Sequence, residues 1–259
     1  MTTAQEIESL MLEMKNEKQR QVLCRFFKTG KGEYGEGDMF IGIKVPQTRA
    51  IVKEARLDVE LSEISKLFHS PWHEIRLCGF LLLVEEMKAA LPRLKRKKEK
   101  QTADADIIKA RRRKEIAAFY LGNARQANNW DLVDLSAPYI IGNWLLHPDE
   151  SDKMADRHIL DRLAESSNLW EQRIAIVSTL MLIRNHQFDD TMRIAEKLLP
   201  HRHDLIHKAV GWMLREAGKR DINTLRQFLQ LHYSTMPRTA LRYAIEKMSL
   251  EERKKWMKR

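Results

Sequence analysis

The chain has little cysteine. Only Cys24 and Cys78 occur among its 259 residues, outside any CxxC spacing, so neither a zinc ribbon nor a disulfide framework is indicated and a reducing, cytoplasmic setting is expected. Long apolar runs are missing as well: no stretch reaches the ~18 consecutive apolar residues that a membrane span needs. The N-terminus, Met1-Thr2-Thr3-Ala4-Gln5-Glu6, lacks the basic region and apolar core of an export signal, so a soluble, unexported protein with no membrane partner is expected. No sustained period-two pattern bounded by turns occurs, which argues against strands. Glycine is sparse, ten in all, and four fall in one stretch, Thr29-Gly30-Lys31-Gly32-Glu33-Tyr34-Gly35-Glu36-Gly37-Asp38. This reads as a loop. It lacks the GK[ST] ending of a phosphate-binding P-loop and no strand pattern precedes it, so a flexible surface connection is the expectation. Acid is the minority charge, 36 Asp+Glu against 46 Lys+Arg, and the net charge of +10 favours a polyanionic partner, nucleic acid or an acidic membrane surface.

What the chain does have is helical patterning, with 43% hydrophobic residues, enough for one core or one repeat array. Ile7, Leu10, Met11 and Met14 make one stripe and Val22, Leu23, Phe26 and Phe27 another, so residues 4 to 28 fit two short amphipathic helices. Val45-Pro46-Gln47-Thr48-Arg49 opens a further helix. Leu61 to Phe68 and Ile75 to Met87 follow with helical spacing, separated by Ser70-Pro71. Residues 93 to 114 are rich in base, from Arg93-Leu94-Lys95-Arg96-Lys97-Lys98-Glu99-Lys100 to Arg111-Arg112-Arg113-Lys114, and read as a charged loop insertion before an apolar helix at Ile116 to Leu121.

The second half repeats itself. Arg173-Ile174-Ala175-Ile176-Val177, Lys208-Ala209-Val210-Gly211-Trp212 and Arg242-Tyr243-Ala244-Ile245-Glu246 each place a base before a small and apolar helical run, at intervals of 35 and 34 residues. That period suits a two-helix repeat of the HEAT or armadillo kind. The expectation is an all-α, right-handed superhelical solenoid of about six helix pairs, one domain over residues 1–259, with a concave basic face. Equivalent positions in stacked repeats align, so Arg173, Lys208 and Arg242 would form a basic stripe at the ~10 Å spacing of packed helices, suited to duplex phosphates. Arg238, four residues before Arg242, and Arg215, outside the register, are counted with these three as expected DNA-binding residues. For any one of these bases, solubilising charge is the simpler explanation. Three in register shift the balance toward phosphate.

Near the middle, Asn128-Asn129-Trp130-Asp131-Leu132-Val133-Asp134-Leu135 reads as a helix start, with Asn129 as N-cap and Asp131 in the first turn. Trp130 and Asp134, four apart, share a face, either as a half-buried structural contact or as a site. Trp170 precedes Arg173 by three residues and Trp212 precedes Arg215 by three; Trp170 is assigned to packing. His201-Arg202-His203 with His207 has metal-like spacing, but acid or cysteine partners are missing, so no metal is expected and phosphate contact near a helix start is preferred.

In combination, Trp130-Asp131-Leu132-Val133-Asp134, Trp170-Glu171-Gln172-Arg173-Ile174-Ala175 and Ile206-His207-Lys208-Ala209-Val210-Gly211-Trp212-Met213-Leu214-Arg215-Glu216 resemble the AlkD-like family of DNA alkylation-repair glycosylases. The segments Tyr34-Gly35-Glu36-Gly37-Asp38-Met39-Phe40-Ile41-Gly42-Ile43-Lys44-Val45-Pro46 and Met236-Pro237-Arg238-Thr239-Ala240-Leu241-Arg242-Tyr243-Ala244 resemble it too. The resemblance covers nearly the whole chain. It implies a HEAT-like superhelix that grips duplex DNA and hydrolyses the N-glycosidic bond of N3- or N7-alkylated purines, without a cofactor. It further implies a catalytic carboxylate at Asp134, indoles lining the lesion-side sugar at Trp130 and Trp212, and a backbone-holding arginine at Arg173. Phe26 or Phe27 stands where the family carries an aromatic against the backbone, and receives no role.

The chemistry agrees with the transfer. A cationic alkylpurine leaves as a neutral base, so catalysis falls on the oxocarbenium-like sugar, which a carboxylate can stabilise while it orients water. Indole faces favour cations by ~0.5–2 kcal/mol each. No lysine has an evident nucleophile context, so a monofunctional reaction leaving an abasic site is expected, carried out by a monomer. The competing reading is a non-catalytic HEAT-type scaffold that binds nucleic acid or protein.

Overall fold

The computed structural model describes residues 1–92, 103–148 and 156–258. Every regular element among them is a helix, and the one bridge of strand type joins Met39 to Trp72. The chain gathers into two compact units, Met1–Ile140 and Ile141–Arg259. None of the described helices is long and apolar enough to cross a membrane.

In the first unit the helices are α1 (Ala4–Glu13), α2 (Glu17–Phe26), α3 (Val45–Ala55), α4 (Leu61–Phe68), α5 (His73–Ala90), α6 (Ala103–Gly122) and α7 (Trp130–Asp134). Local chemistry sets their starts. Thr3 and Glu6 form a reciprocal capping box on α1, Asn16 caps α2 by accepting from Gln19 N, and Pro46 occupies the first turn of α3. The spine is α5. It is apolar on nearly every side, from Ile75 through Leu81, Leu82 and Leu83 to Met87, and α3, α4 and α6 pack around it. Phe68 stacks on Phe80 at 4.1 Å between ring centres, and Tyr120 of α6 meets Phe80 edge-on at 5.8 Å.

The helices expected before residue 90 are all present at or near the expected bounds. The basic insertion is not a loop throughout: Arg111 to Lys114 lie inside α6, continuous with the apolar run at Ile116. Asp104 and Asp106 in its first turn complement the helix dipole, and Arg112 pairs with Glu86 at 2.7 Å while Arg113 donates to the Ala90 carbonyl at 2.9 Å. These bases are helix-to-helix contacts to α5. Residues 93 to 102 lie outside the described residues.

The glycine-rich stretch lies largely at the surface, as expected, but it is closed by its own hydrogen bonds and anchored at its end. Gly30 N and Gly32 N donate to Glu33 and Glu36 at 2.9 and 2.7 Å, Gly35 N donates to the Lys28 carbonyl at 3.0 Å, and Asp38 at its end is buried. Beyond it, the amides of Ile41, Gly42 and Ile43 all donate to the buried Glu74 carboxylate, at 2.9, 2.8 and 3.1 Å. Gly42 has to be glycine, because φ is +97° and a Cβ would lie 2.1 Å from the Asn16 carbonyl.

The second unit holds α8 (Asn143–Leu146), α9 (Ile159–Ala164), α10 (Leu169–Ser178), α11 (Leu180–Arg184), α12 (Asp189–Leu198), α13 (Asp204–Gly218), α14 (Ile222–His232), α15 (Arg238–Ala244) and α16 (Leu250–Met257). Its spine is α13, flanked by α10, α12, α14 and α15. At Gly211 the approach of α15 is so close that a Cβ would meet the Ala240 carbonyl at 2.5 Å and Tyr243 Cβ at 2.5 Å. The three bases of the repeat each occupy the fifth residue of a helix: Arg173 in α10, Lys208 in α13 and Arg242 in α15.

Candidate functional site

Five residues are too few for a helix to hold itself in water, so α7 depends on what anchors it. Asn129 caps it as expected: its backbone is extended, and its Oδ1 accepts from Trp130 N at 2.8 Å. The Asn129 amide is fully buried and its Nδ2 donates to Asp38 Oδ2 at 3.2 Å. Asp131, the acid of the first turn, points inward rather than to solvent. Its Oδ2 accepts from His73 Nε2 at 2.9 Å. On its other side His73 Nδ1 donates to Asp38 Oδ2 at 2.8 Å, and Asp38 Oδ1 accepts from Arg76 Nη2 at 2.5 Å. Arg76 Nη1 also donates to the Ser70 and Pro71 carbonyls, at 2.9 and 3.0 Å.

All four side chains of this row are buried, and two carboxylates balance an imidazolium and a guanidinium. Burial by itself pushes the His73 imidazole down, but the charge and hydrogen bond of Asp131, seconded by Asp38, outweigh it and raise the group from 6.5 to about 9. Conversely, burial pushes the Asp38 carboxyl up, while the His73 hydrogen bond and the charges of His73 and Arg76 bring it below its usual value. The imidazolium lies against two rings, Phe40 stacked at 4.5 Å and Phe27 tilted at 4.8 Å, in the manner of a cation–π contact.

From there an aromatic path leads outward to Trp130. Phe27 stacks on the indole at 5.4 Å, and Phe26 meets its edge at 5.7 Å with 59% of its own surface exposed. Trp130 and Asp134 are both half-buried, whereas Leu132 and Val133 between them are fully enclosed, as two faces of one helix turn require. The far end of α7 is tied down by Ser136, whose Oγ donates to the Leu132 carbonyl at 2.5 Å and accepts from the Tyr120 hydroxyl at 3.0 Å. Burial pushes the Tyr120 phenol well up; its hydrogen bond to Ser136 opposes this and the nearby Asp134 charge adds to it.

In the second unit the basic residues share a register but not an environment. Arg173 is 5% exposed and its Nη1 donates to the Leu205 carbonyl at 2.6 Å, tying α10 to the start of α13. Lys208 is half-buried and pairs with Asp204 at 2.8 Å. Arg242 is exposed, as is Arg238, which donates to the Met257 carbonyl at 3.2 Å. Arg215 is engaged by Glu246 and lies 3.9 Å from Glu216, so a phosphate would have to compete with acid there. Trp212 is half-buried immediately after the close-packed Gly211, while Trp170 is buried in the packing role expected of it.

The histidines near α13 serve the backbone. His203 Nδ1 accepts from Leu205 N at 3.2 Å as the N-cap, His201 Nδ1 accepts from His203 N at 2.9 Å, and His207 Nε2 contacts the His201 carbonyl. Burial holds His201 and His203 below the usual histidine range, in keeping with nitrogens that accept. No metal-binding group of three or more His, Cys, Asp or Glu occurs among the described residues.

Sequence reasoning did not find Asp38, His73, Arg76 or the pairing of Asp131, nor the place of Phe26 and Phe27 against Trp130. Residues 38, 73 and 131 follow no spacing rule, since they meet only when the glycine-rich segment, α5 and α7 converge. The weak signals available were an acid closing a glycine-rich loop and a histidine opening a helix after Ser70-Pro71.

The family model described as "DNA alkylation repair enzyme" matches residues 7–248. Among solved structures the fold is similar to that of a "Predicted DNA alkylation repair enzyme from Enterococcus faecalis", with 18% sequence identity, a TM-score of 0.65, and coverage of 91% of this chain and 97% of that one. No curated protein matches the chain.

Proposed function

The chain belongs to the DNA alkylation repair enzyme family, and from that premise we propose that it is a monofunctional DNA glycosylase that hydrolyses the N-glycosidic bond of cationic N3- or N7-alkylated purines in duplex DNA, leaving an abasic site. One observation carries this reading: an indole and a carboxylate, Trp130 and Asp134, are both half-exposed on a five-residue helix that buried charges hold in place. Asp134 then stabilises the oxocarbenium-like deoxyribose and orients the attacking water. Trp130 offers its face to positive charge. In the second unit Trp212 is assigned a like role toward cationic character. Arg173, Lys208, Arg238 and Arg242 are assigned to backbone phosphate. Because the departing base is already cationic, little general-acid help is required, and selectivity for the lesion over neutral DNA is electrostatic.

Duplex DNA carrying 7-methylguanine tests this. After incubation with the protein and cleavage of abasic sites, native chain yields strand breaks and Asp134→Asn yields about 100-fold fewer or none, while still binding the duplex, as expected when a charge aimed at the transition state is removed. Binding by native protein without base release leaves a DNA-binding scaffold and ends the enzyme reading.

A further inference from the structure

We infer that the buried row Arg76–Asp38–His73–Asp131 is a positioning device for Trp130 and Asp134, holding α7 in one orientation through hydrogen bonds to both ring nitrogens of His73. The inference rests on the glycosylase reading for its purpose, and on the first unit alone for its geometry. Three segments remote in sequence meet at the row: Asp38 from the end of the glycine-rich stretch, His73 and Arg76 from the first turn of α5, and Asp131 from the first turn of α7. Asn129 adds a second tether from the cap of α7 to the same Asp38 oxygen. Thus the residue before Trp130 and the residue after it are both bound to one buried charge cluster, and the indole between them has little freedom to turn.

The charged groups facing His73 are Asp38 from the glycine-rich segment, Asp131 from α7, and Arg76 from its own helix through Asp38; Phe27 after α2 and Phe40 cover the ring. Glu74, the next residue, is occupied by the amides of Ile41, Gly42 and Ile43. Stability alone does not explain the row. Buried ion pairs roughly break even against apolar packing. This row also leaves Asp131 Oδ1 and Arg76 Nε buried without a hydrogen-bond partner among the described residues. What such a cluster offers over a leucine is direction: hydrogen bonds from both imidazole nitrogens admit one placement of α7, as partners behind catalytic groups do elsewhere. The rings that cover His73 continue without a gap to Trp130, so a change of charge at the imidazole is felt at the indole through Phe27.

The test uses the full chain labelled with 5-fluorotryptophan, the Trp130 fluorine signal being identified by its loss in Trp130→Phe. In native protein that signal moves as pH rises from about 7 to about 10, when His73 gives up its proton, and in His73→Gln it stays put over the same range. In parallel, Asp131→Asn binds 7-methylguanine duplex within about twofold of native but releases base about 10- to 100-fold more slowly, the loss typical when a group behind the reacting residues is removed. Partial recovery by Asp131→Glu supports the same conclusion. A native Trp130 signal indifferent to pH, or native release rates from Asp131→Asn, overturns the inference. If native protein releases no base at all, the glycosylase reading fails, and the Trp130 titration still decides whether the row positions the indole. Should Asp131→Asn fail to fold, the native and His73→Gln titrations carry the decision.

Discussion

At the scale of single residues, His73 governs how the first unit responds to pH. Its folded state holds a proton more tightly than an unfolded histidine, with a value of about 9 against 6.5. The sign follows from linkage: the stabilisation is fully present below about pH 6.5 and is lost as pH rises through about 9. Chemical denaturation at a series of pH values should therefore show stability falling between those limits, with the slope between about pH 6.5 and 8 removed in His73→Gln. Asp38 works in the opposite sense, since its carboxyl is held low and its share is lost only as pH falls through its lowered value in acid. Cys78 acts in the same direction: burial pushes its thiol up to about 12, so its share of stability is lost once pH passes the ordinary thiol value, at the top of this window and above it. The individual residues that the sequence exposes well are those whose role depends on near neighbours. Asn129 as cap, Asp131 in a first turn and Trp170 as packing are local facts, and each stands in the structure as expected. The destination of the Asp131 carboxylate is not local, and only the fold decides it.

At the scale of elements, Gly211 sets the distance between α13 and α15. A methyl group there would press on the Ala240 carbonyl and on Tyr243 Cβ, neither of which is the loose end of a flexible side chain. Gly211→Ala should thus lower the urea midpoint by an amount equivalent to about 1–3 kcal/mol, although alanine is the better helix former on an isolated helix. Helix patterning was legible wherever a stripe or a cap announced it, as in α1 to α5. At α6 the apolar run Ile116 to Leu121 reads as helix, while the charged residues Arg111 to Lys114 before it read as a loop although they belong to the same helix. Along that helix Arg112 and Arg113 satisfy α5 from the side, so basic residues that resemble a solvated run are interhelical ties. In the glycine-rich stretch, Gly35 allows a close approach to the Phe27 carbonyl, and the terminal acid is drawn into the buried row.

At the scale of the whole molecule, a net charge of +10 favours encounter with a polyanion, and salt reports how many phosphates are engaged. Arg242→Ala, at an exposed position, should weaken duplex binding and reduce the slope of log K against log salt by about 0.9, as loss of one phosphate contact requires. Arg173→Ala should do the same, in addition to losing its bond to the Leu205 carbonyl; an unchanged slope in fluorescence-anisotropy titrations removes Arg173 from the interface. Arg215 should contribute little, because Glu246 already holds it.

From the sequence alone came the helical class, the repeat spacing that puts Arg173, Lys208 and Arg242 at one helix position, and Trp130 and Asp134 as a pair on one turn. Each is a consequence of short-range periodicity, which the order of residues carries directly. Tertiary structure decided which of those bases face solvent, how the glycine-rich stretch is tethered, and what holds α7. These depend on contacts between residues 35 to 93 positions apart, such as Asp38 with His73 and with Asp131 through it, for which a sequence has no spacing rule.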